Sequence, residues 1–221
     1  MKLFNWSTAP EGLPATQQKN FLNVQIDAVG IGLASAASPF LPVFLARLGA
    51  SNFQVGLLTS MPALTGLFLA ILIGRFLQTR GQIVPWFSAA RLMVVSCYAL
   101  TGIAPFVVPR EYIVPVVLGI WAIATVPQIV VNVAFSVVMN AVAGPKYRYD
   151  LMSRRWSILG LTTAITVALA GQMLDQINFP FNYQLVFLGL SVGGLISYYY
   201  SSHIELPAVE PPPQIAGQSV G

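Results

Sequence analysis

The chain has 221 residues, 56% of them hydrophobic, and a formal net charge of +4 drawn from only 8% charged side chains. Soluble domains carry roughly 25% charged residues, so a chain this poor in charge cannot clothe a water-facing surface and must turn most of itself toward lipid. The surplus of positive charge does not point to nucleic acid, because the basic residues stand in short clusters between apolar runs, the arrangement that encodes membrane topology.

Residues 1–20 contain no apolar core of signal-peptide length and no small-residue cleavage site, so they read as a retained N-terminal segment. The sequon Asn5-Trp6-Ser7 falls on the side where it would not be glycosylated. Six apolar stretches follow, near 21–46, 53–73, 83–108, 113–143, 156–174 and 183–202. Each is long enough for the roughly 17–25 residues of a spanning helix. The runs are too long for strands, and the in-out alternation of a membrane barrel is missing. The expectation is an all-α membrane protein with six transmembrane helices over residues 21–205. Residues 206–221, proline-rich and without basic side chains, read as a disordered tail or a severed linker.

Orientation follows from Lys and Arg in the connections. Lys2, Lys19, Arg75, Arg80, Lys146, Arg148, Arg154 and Arg155 collect on one side, against Arg47 and Arg110 on the other. The positive-inside rule therefore places both termini and the basic segment of Lys146, Arg148, Arg154 and Arg155 in the cytoplasm. A prokaryotic plasma membrane is the expected location.

Charged and amide side chains inside such runs are costly, so they face a partner helix or a wet cavity. In span one, Asn23 and Asp27 are one turn apart. Span four carries Thr125, Gln128, Asn132, Ser136 and Asn140 at steps of three or four, which puts them on one side of a helix. Asn23, Asp27, Gln128 and Asn132 are the candidate solute or ion pathway. Helix-bridging hydrogen bonds are the alternative for Gln128 and Asn132, and the preferred reading for Thr125 and Ser136. Arg91 enters span three from the same side as Asp27 and at similar depth, so the two are a candidate ion pair. The rival is an Arg91 reaching to the headgroups, which would leave Asp27 free for a proton or cation. Gly30 with Ala34, and Gly189 with Gly193, form small-residue pairs suited to close helix contact.

Enzyme chemistry finds no support. Cys97 is the single cysteine and His203 the single histidine, so no metal site can be assembled from them. Neither a nucleotide-binding glycine loop nor a protease serine motif is present, and no cofactor is expected.

Three stretches resemble the major facilitator superfamily. "LPVFLARLGASNFQVGLLTSMPALTGLFLAILIGRF" is similar to that family's first two spans with their connection. "GRFLQTRGQ" then occupies the place of its signature loop: Gly74 and Gly81 stand at the family's spacing, Gln78 replaces the acid, Thr79 the arginine, and Arg80 keeps some positive charge. "PKYRYDLMSRRW" is similar to the family's basic connection between spans four and five. The resemblance implies a six-helix half of a twelve-span transporter, built from two three-helix inverted repeats, here 21–110 and 111–205, with the site near the midplane. In the family, spans one and four line the cavity, and here those spans carry most of the intramembrane polar residues. What the resemblance implies is membrane transport of a small solute by alternating access, with a proton or cation as candidate co-ion. A second copy, a separate six-helix half or another membrane subunit would then cover the polar face. The alternative is a non-transporting membrane subunit or scaffold, or a truncated transporter fragment. Partners are thus the lipid bilayer, a small solute and such a subunit, and not nucleic acid.

Overall fold

The structure, a computed structural model, describes residues 9–10 and 12–206. The sequon and the tail from 207 lie outside the described residues. Among the described residues there is no strand. The helices run in the order α1 (Ala15–Ser35), α2 (Phe40–Arg47), α3 (Asn52–Gln78), α4 (Val84–Val107), α5 (Arg110–Gln176) and α6 (Phe181–Ser202). With α1 and α2 taken as one element, five helices are long and apolar enough to cross a membrane. These long apolar helices suggest an integral membrane protein.

The first apolar run does not give one continuous helix. α1 stops at Ser35 and α2 starts at Phe40, with Pro39 as its N-cap. Proline has no N–H to donate and disfavours helical geometry in the residue before it. At its other end α1 begins at Ala15, ahead of the apolar run. The polar turn there is stabilised by Gln18, whose side chain donates to the Leu13 carbonyl at 2.7 Å.

α5 needs a different explanation. Its 67 residues would make a straight rod of about 100 Å, some three times the hydrocarbon thickness of a bilayer. It breaks at Gly144, where φ is 62° and ψ is 176°, a backbone region that glycine occupies almost alone. Pro145 follows, and a missing N–H costs nothing at the start of a helix. Phe135 and Trp156 show the consequence. Twenty-one residues of straight helix would hold them about 31 Å apart, yet their ring centroids lie 6.4 Å apart. α5 is therefore a helical hairpin of two limbs. The segment expected as a basic loop is the first part of the second limb. Its Leu151 is fully buried, and Arg154 Nε donates to Asp150 Oδ1 one turn back at 3.0 Å.

α1 and α4 both pack against α6 and against α5, while α3 lies outside against α5 and α2. The α1–α6 crossing depends on glycine. A Cβ on Gly30 would stand 2.6 Å from the Gly193 carbonyl oxygen and equally close to the Ser197 nitrogen. Gly189, expected to share that contact, has nothing within 4 Å of where its Cβ would be; the crossing uses Gly193 alone of that pair.

Two apolar clusters hold the bundle. One gathers Phe21, Val24, Phe87, Val138, Met139 and Leu151. The other gathers Leu41, Phe44, Tyr98, Val117, Tyr183 and Phe187, with the Phe44 ring 5.4 Å from both Tyr183 and Phe187. On α1 and α4 the residues between these two clusters include Asp27 and Arg91. The outer side of α3, with Phe53, Leu67, Phe68 and Ile71, is exposed, as a lipid-facing surface requires.

Candidate functional site: a buried Asp–Arg–Arg cluster beside a cavity

Three charged side chains from three helical segments converge between the apolar clusters. Asp27 on α1 is wholly buried, and Arg91 on α4 and Arg155 on the second limb of α5 are each 3% exposed. Arg91 Nη1 donates to Asp27 Oδ1 in a direct ion pair. Ser197 of α6 donates to the same oxygen at 2.6 Å. Arg155 approaches from the other side, its Nη2 3.9 Å from Asp27 Oδ2. The Gly30–Gly193 crossing brings Ser197 within reach, since α1 and α6 could not approach so closely with side chains at those positions.

Aromatic faces complete the surroundings of both guanidinium groups. Arg91 lies 4.1 Å above the Phe87 ring, and Arg155 lies 4.6 Å from Phe135 and 5.3 Å from Trp156. Such contacts stabilise a cation, by about 2 kcal/mol or more when water is excluded. They do not satisfy N–H groups. Arg91 Nε, Arg155 Nε and Asp27 Oδ2 are buried without a hydrogen-bond partner.

Both arginines line a cavity of about 410 Å³. Its walls include Ser35 from α1, Tyr98 from α4, and Gln128 and Asn132 from the first limb of α5. Gln128 Nε2 donates to Asn132 Oδ1 at 3.1 Å, as their spacing of one turn allows. A second cavity of about 320 Å³, lined by Ser38, Thr59, Trp121 and Thr125, shares Tyr98 and Gln128 with the first. Asn132, Ser136 and Asn140 are exposed along the same limb.

Of the four pathway candidates, Gln128 and Asn132 reach this cavity. Asp27 sits behind it, held by Arg91, while Asn23 is elsewhere. Its amide donates to the His203 carbonyl at 2.8 Å, and Asn20 both donates to and accepts from the Glu205 backbone, at 2.8 and 2.9 Å. The two asparagines tie the start of α1 to the chain after α6, so Asn23 is a structural clamp rather than a cavity residue. Arg91 does not extend toward an interface. It is buried against Asp27, because a carboxylate and an aromatic face are available where headgroups would otherwise be sought.

Arg155 is the main correction to the sequence reading, which grouped it with the cytoplasmic basic residues. Lys146 and Arg148 are exposed and Arg154 is half-buried, but Arg155 turns inward. The signal was present in "LMSRRWSIL": Leu151, Arg155 and Leu159 repeat at four residues, so they share the inner face while Arg154 pairs outward. Ser197, a serine in an apolar run, gave no such signal. In the signature-loop segment, Gly74 and Gln78 belong to the last turns of α3 and Gly81 to the bend after it. Arg80 lies 4.3 Å from the Phe76 ring and 5.3 Å from Trp86, so its charge joins α3 to α4. Among the described residues no group of three His, Cys, Asp or Glu could hold a metal.

No family model, curated protein or solved structure matches the chain.

Proposed function

We propose that the chain is a six-span half of a secondary transporter of the major facilitator kind, moving a small solute by alternating access through the cavity between α1, α4 and the α5 hairpin. In this reading the spans are α1 with α2, α3, α4, the two limbs of α5, and α6, with both termini cytoplasmic. The observation that carries the proposal is the cavity itself. It is lined by charged and amide side chains on helices otherwise apolar enough for lipid, and lipid is a poor solvent for them. Its polar face continues along the first limb of α5 to the exposed Ser136 and Asn140. A second copy, a separate half or another membrane subunit would cover that face. The two arginines around Asp27 favour it as their anchor over a role as proton or cation site.

Single cysteines at Gln128 and Asn132, in a Cys97→Ser background, test this in membranes. Membrane-impermeant maleimides should reach both positions from the aqueous phase, with reactivity that depends on the side of addition. Positions reactive only to lipid-soluble reagents would refute a solute pathway. Purification in a stable complex with unrelated subunits, with no flux on reconstitution, would favour the scaffold alternative.

A further inference from the structure

We propose that the cavity takes an organic monoanion, a carboxylate on an apolar or aromatic body, and that Arg155 receives its charge. The proposal rests on reading the cavity as a solute site, and adds the class of solute.

Arg91 and Arg155 both direct their ion pairs to Asp27, so three buried groups carry a formal charge of +1. Asp27 Oδ1 is taken by Arg91 and Ser197, while Oδ2 makes no hydrogen bond and stands 3.9 Å from Arg155 Nη2, beyond hydrogen-bond length. Buried charges are ordinarily paired and hydrogen-bonded. Arg91, though its Nε is unpartnered like that of Arg155, donates to Asp27 through Nη1; Arg155 makes no hydrogen bond to Asp27 and is the member of the cluster left under-satisfied. A single negative charge beside it would bring the cluster to neutrality, whereas a dianion would overshoot and a cation would add to the imbalance.

Geometry agrees. Arg155 lines the cavity, next to Trp156 and Phe135, whose rings hold its guanidinium in the wall. A planar fork of donors suits a carboxylate. The rest of the lining is mostly aliphatic and aromatic, including Ile31, Val94 and Leu159, with Gln128 and Asn132 as further polar groups. A space of about 410 Å³ is far larger than an inorganic anion needs and lies within the range of small-molecule sites. An apolar body with one acidic group fills it.

Benzoate, its uncharged isostere benzamide and inorganic phosphate serve as probes on the purified full chain at matched ionic strength, read by thermal unfolding and tryptophan emission. Benzoate is expected to raise the unfolding temperature and alter emission at Trp156, with benzamide and phosphate well behind. Arg155→Gln should weaken benzoate binding by roughly tenfold or more, the loss of one charge-assisted hydrogen bond, while the ligand-free variant unfolds close to wild type because the Asp27–Arg91 pair is then balanced. In the wild-type chain, benzoate should also protect Arg155 from phenylglyoxal, a readout that does not need the variant to fold. Equal effects of benzoate and benzamide, a stronger effect of phosphate, no effect of any probe, or undiminished benzoate binding by Arg155→Gln would each overturn the proposal. Binding of benzoate without flux would leave the anion site standing and remove the transporter. Flux of a neutral or cationic solute indifferent to anions would do the reverse.

Discussion

Replacing Asp27 with Asn leaves the shape of the buried cluster almost unchanged and removes its one negative charge. Two guanidinium groups, each 3% exposed, then face each other with no counter-charge. At 3.9 Å the Arg155–Asp27 attraction alone is about 4 kcal/mol at an effective dielectric constant near 20, and the direct Arg91 contact is closer still. Desolvation offsets much of this in the intact cluster, but it remains in full when the acid is lost. Breaking a buried pair from one side therefore costs about 3–5 kcal/mol. Arg91→Gln should cost less, since Arg155 remains to take up Asp27. Arg155→Gln should cost least, within about 1 kcal/mol of wild type, because it leaves a neutral hydrogen-bonded pair and relieves an under-satisfied cation. The expected order of destabilisation is thus Asp27→Asn, then Arg91→Gln, then Arg155→Gln, measured by thermal unfolding in one detergent. An Arg155→Gln protein as unstable as Asp27→Asn would refute the charge accounting, since Arg155 would then be a full partner and not the surplus cation.

Gly144→Ala should cost of order 1–3 kcal/mol, the strain of a side chain at that backbone geometry, and lower the yield of monodisperse protein on size exclusion. Unchanged yield and stability would show that the hairpin bends by other means. At the α1–α6 crossing, Gly193→Val should destabilise by at least about 1–3 kcal/mol through overpacking, whereas Gly189→Ala, facing open space, should be near neutral in the same thermal assay. Lys19 hydrogen-bonds and pairs with Glu205 at 2.6 Å, which holds the Glu205 carboxyl below its ordinary value. Its folded pKa being depressed, this contact supports folding above the ordinary carboxylate range and is lost as pH falls through the lowered pKa. Lys19→Gln should therefore remove a small stabilisation seen at neutral pH and leave stability in acid below that range unchanged. Phe44→Ala should cost about 3–5 kcal/mol, since Phe44 is fully buried among the rings of Phe179, Tyr183 and Phe187.

Composition and run length determined the helical, lipid-facing character of this chain, because a chain with so few charges and such long apolar runs has few other ways to satisfy its backbone. The start of α3 and the approximate ends of α4 and α6 were legible for the same reason, and so was the common face of Gln128 and Asn132, a property of helix spacing; α3 runs on to Gln78, past the expected end at Ile73. Hydropathy could not register how the chain turns. It expected a loop where Gly144 alone makes the reversal, and one helix where Pro39 separates α1 from α2. It also counted Arg155 with its exposed neighbours, because a basic residue beside other basic residues looks alike whether it points out or in. Only the tertiary structure decided that question. Asp27, Arg91, Arg155 and Ser197 are as much as 170 residues apart; matching depth in their spans marked Asp27 and Arg91 as a candidate pair, but no local pattern encodes which further groups join them. That is set by the close approach of α1 to α6 across Gly30 and Gly193 and by the fold of the α5 hairpin, which together place one acid between two bases.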